Sequence, residues 1–480
     1  MINLILLFPL LACLILLIFK KEKLNNLMLN TYALLHFIGT MGFCFGKDLF
    51  PLWKTCSFFS VNNKNIIFLA VMSLVFLAVA IYNNGYMKSS KESVQKIRHY
   101  TYAVFLFVLS MTGAILSTNL AVSWIFIEGT TLASAYLIYF HKTKHSIEAA
   151  WKYVFICSIG IALAFVGIIL LTVATGNLNS LYFEDLYKNA QSFNPFWLKL
   201  SFVFILFGIG TKMGLAPVHF WLPDAHAQAP SPISALLSAT LLNSAFLMIL
   251  NVFGIMIIAN CDSFARLMML TMGFLSLFIT AVFVYHINNY KRMLAYSSIE
   301  NMGILIIGTA LGGVAMLAAI IHLIGHSLIK ASFFLTSGNV LEIYKTKKIK
   351  SVTGLLKTDK KTGWLWIFSM LGIVAFPPSI LFISEFMMIK TMFIQNKLAL
   401  CIAFLVLLTI ILYGLAKSTI KMAYASISEE KLNEVKERVK ELNWTMYLPQ
   451  MVLLGIAFYI GICMPEQLVN LITNTIIGLG

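Results

Sequence analysis

The sequence predicts an all-α polytopic membrane protein, and three observations carry that prediction. The chain is 60% hydrophobic and only 11% charged. Its apolar residues gather into repeated runs of about twenty, long enough to cross a bilayer. Its basic residues collect in alternate short connections. A mean hydropathy of +0.87 excludes an ordinary soluble domain. The 35 basic against 19 acidic residues give a net charge of +16, a balance that on a soluble chain would suggest nucleic acid as a partner. Here the lysines lie in loops between apolar runs, and the positive-inside bias accounts for them.

Apolar segments begin near residues 2, 26, 65, 101, 120, 149, 199, 231, 264, 294, 314, 362, 398 and 445, which makes about fourteen spanning helices. The first, residues 2–19, has no basic start and no small-residue cleavage site, and Lys20, Lys21 and Lys23 follow it. It reads as a retained span rather than a cleaved leader. Loops after odd-numbered spans hold Lys20/Lys21/Lys23, Lys88/Lys91/Lys96/Arg98, Lys142/Lys144, Lys291/Arg292, the lysine-rich stretch 345–361 and Lys417/Lys421, whereas 117–120 and 312–313 are neutral. This alternation places the odd loops in the cytoplasm and both termini outside, and the expected location is a bacterial cytoplasmic (inner) membrane.

Two spans are broken by proline, the seventh at Pro217 and the twelfth at Pro377-Pro378. They lie five helices apart, and an odd offset reverses topology. The pattern predicts two inverted five-helix repeats, 101–260 (helices four to eight) and 261–425 (helices nine to thirteen), with a transport path at the breaks. Two unrelated kinks are the other reading. A three-helix segment, 1–100, precedes the repeats, and a C-terminal transmembrane helix, 445–480, ends the chain. Between them, 426–444 is polar with Leu432, Val435, Val439 and Leu442 at helical spacing, an amphipathic cytoplasmic helix for the protein's own surface or for a partner subunit.

Ionisable residues inside apolar spans are costly and mark candidate functional positions. Lys212 follows eleven uncharged residues, 200–210, and stands just before Pro217. Glu128 is mid-span in helix five with no charged neighbour in sequence, so its partner comes from another helix. Lys152 and Lys212 are the candidates, as a separable proton switch or as a static ion pair. His322, His326 and Lys330 recur at i, i+4 spacing and share one face of helix eleven, with steps of about 6 Å. Histidine takes a proton on one ring nitrogen and releases it from the other, so the stripe reads as a relay. A structural role or a metal held by the histidine pair are the rivals, but no carboxylate or cysteine stands nearby to complete a metal site. Glu385, seven residues past the second break, is a candidate exit gate. His219, Asp224 and His226 beside the first break are secondary candidates, as is Lys390, which reads as an interfacial anchor. His36, Asp262, Lys291 and Glu300 fall near segment ends, where solvated or capping roles are expected. Seven cysteines, at 13, 44, 56, 157, 261, 401 and 463, show no metal-ligand spacing, so no cofactor or metal is expected in this chain.

The run Gly210-Thr-Lys-Met-Gly-Leu-Ala-Pro-Val-His-Phe-Trp-Leu-Pro-Asp-Ala-His226, continuing through Pro230-Ser-Pro-Ile-Ser-Ala-Leu-Leu-Ser238, resembles the antiporter-like proton-pumping subunits of NADH:quinone oxidoreductase, cation/proton antiporters and membrane-bound [NiFe] hydrogenases. The resemblance covers most of the chain. Ala149-Ala-Trp-Lys-Tyr-Val-Phe-Ile-Cys-Ser-Ile-Gly-Ile-Ala and Ala295-Tyr-Ser-Ser-Ile-Glu-Asn-Met-Gly are most similar to the hydrogenase-4 component F branch. The resemblance implies that Glu128 and Lys212 are an input pair, that Lys152 matches a family lysine, that His322 and His326 are bridging positions, that Lys330 is central and that Glu385 ends the path. Ser238 departs from a family histidine or lysine. It further implies a proton-translocating subunit of a hydrogenase-4 or formate hydrogenlyase-like complex, with no redox centre of its own. Its partners would be other membrane subunits and cytoplasmic subunits carrying [NiFe] and iron-sulfur centres, with no nucleic acid. A sodium/proton antiporter subunit, an NADH:quinone oxidoreductase subunit and a passive scaffold are the alternatives.

Overall fold

In a computed structural model of the protein the described residues are 2–19, 22–45, 57–89 and 92–477; Lys20, Lys21, Cys56 and Lys91 lie outside them. The described chain is helical throughout its folded body. In order the helices are α1 (Ile2–Ile18), α2 (Glu22–Cys44), α3 (Ile66–Ser89), α4 (Val94–Leu116), α5 (Leu120–Ile138), α6 (Lys144–Thr175), α7 (Phe183–Asn189), α8 (Pro195–Met213), α9 (Trp221–Gln228), α10 (Ser231–Leu236), α11 (Leu242–Ile258), α12 (Asp262–Phe283), α13 (Tyr290–Leu311), α14 (Val314–Tyr344), α15 (Leu355–Thr358), α16 (Lys360–Ile373), α17 (Ile380–Ile394), α18 (Leu398–Tyr424), α19 (Glu429–Val439), α20 (Leu448–Ile462) and α21 (Glu466–Ile477). Among the described residues twelve helical stretches are long and apolar enough to cross a membrane. Two further apolar units are shorter: α1, with 17 residues, and the broken pair α16–α17, with 14 and 15.

Side-chain caps set many of the starts. Asn119 accepts from the Ala121 and Val122 amides, Asn194 precedes Pro195 at the first position of α8, and Asn289, Asp359 and Ser379 cap α13, α16 and α17. The loops divide onto two faces. On the basic face, Lys347 donates to the Ala227 carbonyl (2.7 Å), Lys291 to Ala229 (2.6 Å) and Lys431 to Ser351 (2.9 Å). On the opposite face, isolated backbone bridges join Phe59 to Ser117 and Asn119 to Tyr182.

Burial separates two kinds of helix. The most apolar window of α13 is entirely buried, whereas that of α18 is 28% buried and exposes Ile402, Leu405, Val406 and Leu412, side chains suited to hydrocarbon. Small residues let α6 and α8 pack closely: a Cβ added at Gly208 would lie 2.5 Å from both the Ala164 nitrogen and the Gly160 oxygen. The amphipathic segment forms α19 and lies on the protein's own surface, with Val435 buried and Arg438 donating to the Ile343 carbonyl. The segment expected as one C-terminal span is two helices, because Cys463, Met464 and Pro465 break it before α21, whose Thr475 donates to Asn63.

Candidate functional site: a buried ionisable axis

Both proline breaks fall between two helices that would otherwise be continuous. α8 is capped by Gly214, which takes a left-handed φ of +79° open to glycine, and a cis Ala216-Pro217 peptide follows. The interrupted backbone is satisfied from the side: Trp221 Nε1 donates to the Thr211 carbonyl (2.7 Å), and the Ala216 amide donates to Ser276 Oγ (2.9 Å). The second break separates α16 from α17 and carries a cis Pro377-Pro378 peptide.

Lys212, in the last turn of α8, is 0% exposed. Its Nζ donates to the Tyr153 hydroxyl of α6 at 2.8 Å. The Tyr153 hydroxyl lies 2.6 Å from Ser134 Oγ of α5, and Ser134 donates its own proton to the Thr130 carbonyl at 2.5 Å. The direction of the chain follows: lysine to tyrosine to serine to backbone. Glu128 is half-buried and accepts from Thr131 (2.9 Å). The expected direct contact between Glu128 and Lys212 is therefore not formed; Tyr153, a residue the sequence did not single out, holds the lysine. Lys152, the other candidate partner of Glu128, points elsewhere. It pairs with Glu148 (2.6 Å) and with Asp224 (3.3 Å), which also binds Arg292 (3.0 Å), in a half-exposed cluster on the basic face that lines a cavity with His145 and Gln228.

His322, His326 and Lys330 lie along α14, all 0% exposed. Lys330 Nζ donates to the Leu294 carbonyl (2.6 Å) and to Ser297 Oγ. His322 is held from both sides, with Nε2 3.0 Å from Asn301 Oδ1 and Nδ1 2.9 Å from Ser384 Oγ. The Asn301 amide nitrogen is committed to the Ser297 carbonyl (2.6 Å), so Oδ1 faces the ring and Nε2 carries the proton. Ser384 can turn its proton to Nδ1 or to the Leu381 carbonyl at 2.8 Å. Rotation of one hydroxyl thus accommodates both charge states of His322 without moving the ring. His326 sits beside the Ser238 backbone with no ring hydrogen bond of ordinary geometry. Ser238 lies in a π-helical turn, Leu237–Leu241, that joins α10 to α11, and its hydroxyl pairs with Ser298 (2.8 Å). Such turns loosen the i→i+4 ladder and are frequent at functional positions.

His226, also 0% exposed, stacks on Phe334 (4.7 Å), the ring that Lys330 overlies at 5.8 Å, and both its ring nitrogens lack partners. His219 is buried and stacks on Phe220 (4.6 Å). Glu385 lines a cavity, and Lys390 is exposed near the end of α17. Asp262 stands in the first turn of α12 and pairs with Arg266 (2.9 Å). Three residues expected near solvent are instead buried: His36 (0%), which meets Thr112 at 3.0 Å, Lys291 (0%) and Glu300 (5%). Glu300 in particular lies inside α13, which other helices enclose on all sides. Its place near the start of an apolar run hid it, although α13 is also the less apolar helix, with a mean hydropathy of 1.3 against 2.8 for the lipid-facing α18. Among the described residues no group of three or more His, Cys, Asp or Glu side chains is placed to hold a metal.

On the basic face, burial together with the nearby lysines Lys291, Lys347 and Lys96 holds His141, in the loop between α5 and α6, down to about 4.

The family described as "NADH:quinone oxidoreductase/Mrp antiporter, TM" matches residues 117–412. A hydrogenase-4 component F homolog from Methylacidiphilum infernorum is 32% identical over 97% of each chain. A Na(+)/H(+) antiporter protein of Alkalihalophilus pseudofirmus is 28% identical over 77% of this chain and 74% of its own. In fold, the chain is similar to a chain of an archaeal membrane-bound sulfane sulfur reductase complex (TM-score 0.86, 21% identity, 100% and 97% coverage) and to one of the Mrp complex from a Dietzia species (0.85, 18%, 100% and 97%).

Proposed function

The chain belongs to the NADH:quinone oxidoreductase/Mrp antiporter transmembrane family, and from that premise we propose that it is the proton-translocating membrane subunit of a hydrogenase-4 or formate hydrogenlyase-like complex. The observation that carries this reading is the set of fully buried ionisable side chains Lys212, His226, Lys330, His326 and His322. Burying so many titratable groups without carboxylate partners is a poor way to stabilise a fold and a good way to pass a proton.

In this reading Lys212, held by Tyr153, is the input station, and the Asp224 cluster gathers protons at the basic, cytoplasmic face. Lys330 is the central station. His322 passes a proton between its two ring nitrogens while Ser384 reorients. Glu385 leads toward the opposite face, and the two halves, 101–260 and 261–425, act as inverted repeats. Electron transfer would run through [NiFe] and iron-sulfur centres in cytoplasmic partner subunits, coupled to this chain electrostatically. Replacing Lys212 or Lys330 with Ala should abolish proton pumping in vesicles while dye-linked hydrogenase activity of the complex persists. Normal pumping in both variants would refute the reading.

The similarity to the Na(+)/H(+) antiporter protein of Alkalihalophilus pseudofirmus supports a second reading, exchange of sodium for protons without a redox arm. Co-purification separates the two: small antiporter proteins without iron or nickel favour the second, and a nickel-containing arm favours the first.

A further inference from the structure

Between α13, α16, α17 and α18 lies a cavity of about 200 Å³, room for several waters. Its wall is mostly apolar, with α18 contributing Leu405, Leu408, Thr409 and Leu412. Two features break that character. The first is the pair of carboxylates Glu300, from α13, and Glu385, from α17. Glu300 is 5% exposed, and its Oε2 has no hydrogen-bond partner. The second is the end of α16. The i+4 partners of the Ile373 and Val374 carbonyls would be Pro377 and Pro378, and neither has an N–H to give. Both residues line the same cavity, and the double proline removes the amides that would otherwise pair with their carbonyls.

The surroundings tie this cavity to the axis. Glu300 lies within electrostatic reach of Lys330 and of Glu385. His322 braces Asn301 and Ser384, the residues next to each carboxylate, and so holds α13 and α17 together at this level. The ionisable groups that face the pair are thus Lys330 and His322 on α14. α12 keeps Asp262 and Arg266 in an ion pair with each other, with Arg266 also bonded to the Ala310 carbonyl near the far end of α13, and on α9 Asp224 pairs with Lys152 and Arg292 at the basic face while His226 stacks on Phe334.

We propose that Glu300 and Glu385 form a carboxyl pair that shares one proton at rest, through water in the cavity they both line, and passes protons from Lys330 to the opposite face, Glu300 receiving and Glu385 releasing. This deepens the proton-translocating reading and rests on it. Two negative charges in so apolar a wall cost too much to persist, and one shared proton relieves them. On transfer an Nζ–H bond of Lys330 breaks and an O–H bond forms on Glu300, leaving a neutral amine and two neutral acids. Glu385 then releases its proton outward, and the pair returns to a single negative charge.

The test uses the intact complex in membranes and dicyclohexylcarbodiimide, a lipid-soluble reagent that adds to a protonated carboxyl, with the modified residue located by peptide mass. Glu300 should be labelled near neutral pH. In Glu385→Gln, where the competing negative charge is gone and Lys330 remains, labelling of Glu300 should cease at a pH lower by about one unit or more. An unchanged pH profile would overturn the pairing, as would failure to label Glu300 between pH 5 and 9. Protection by sodium at constant pH would overturn the assignment to a proton. Should Glu385→Gln fail to assemble, wild-type labelling decides: two steps separated in pH at the two residues support sharing, and one common step refutes it. The readout needs no pumping, so it stands apart from the Lys212 and Lys330 variants that test the wider function.

Discussion

Tyr153→Phe isolates the contact that replaces the expected carboxylate at Lys212. Phenylalanine keeps the ring that packs against Trp221 (4.9 Å between centroids) and removes the oxygen that accepts from Lys212 Nζ at 2.8 Å. A buried charged donor left without its acceptor costs about 1–3 kcal/mol. At about 1.4 kcal/mol per factor of ten, the charged station becomes harder to fill by roughly fivefold to a hundredfold. The fold should survive, because volume and shape are kept and Ser134 retains its bond to Thr130. The assay is acidification of inverted membrane vesicles during turnover, normalised to the amount of assembled complex. Pumping should fall within that range, while Ser134→Ala, one step further from the lysine, should cost less. A Tyr153→Phe complex that assembles normally and pumps within twofold of the parent would refute the assignment of Tyr153 as the partner that holds Lys212.

Gly208→Ala should lower thermal stability by about 1–3 kcal/mol, because the new methyl carbon lies 2.5 Å from backbone atoms of Ala164 and Gly160; an unchanged melting temperature would show that α6 and α8 separate freely. Asp224→Asn should cost no more than about 1 kcal/mol of stability, since its partners Lys152 and Arg292 are half-exposed, and a loss several times larger by thermal unfolding would contradict that geometry. His141, held down to about 4 in the folded protein against about 6.5 when unfolded, is neutral in both states above that range. As pH falls from about 6.5 to 4 the unfolded chain takes up the proton first, so stability drops by at most about 3 kcal/mol. His141→Gln should flatten this acid limb in unfolding curves recorded from pH 7 to 4, and an identical slope in the variant would assign the loss to other groups.

The legible part of the axis was the part written in local spacing. His322, His326 and Lys330 share a face because any helix with that i, i+4 pattern must place them so, and Lys212 stood out because a lysine in an uncharged run is costly wherever the run folds. Partners were not legible, because they come from other helices. Tyr153 is an ordinary aromatic until α6 packs on α8. Lys152 looked like an intramembrane lysine, yet it lies where α6 meets the basic face and Asp224 reaches it.

The sequence by itself determined the membrane class, the order and near-start of almost every span, the two proline breaks and the stripe on α14, because each follows from hydropathy, helix periodicity or the chemistry of proline. Tertiary structure decided which apolar helices face lipid and which are enclosed, since hydropathy tracks burial unevenly: α3 and α13 are both largely buried at mean hydropathies of 2.5 and 1.3, while α18 at 2.8 is 28% buried. It is the enclosure of α13 that turns Glu300 from a residue near a segment end into a buried carboxylate beside Glu385. The π turn at Leu237–Leu241, the bracing of His322 and the missing amides at Pro377-Pro378 likewise acquire meaning only once the neighbouring helices are in place.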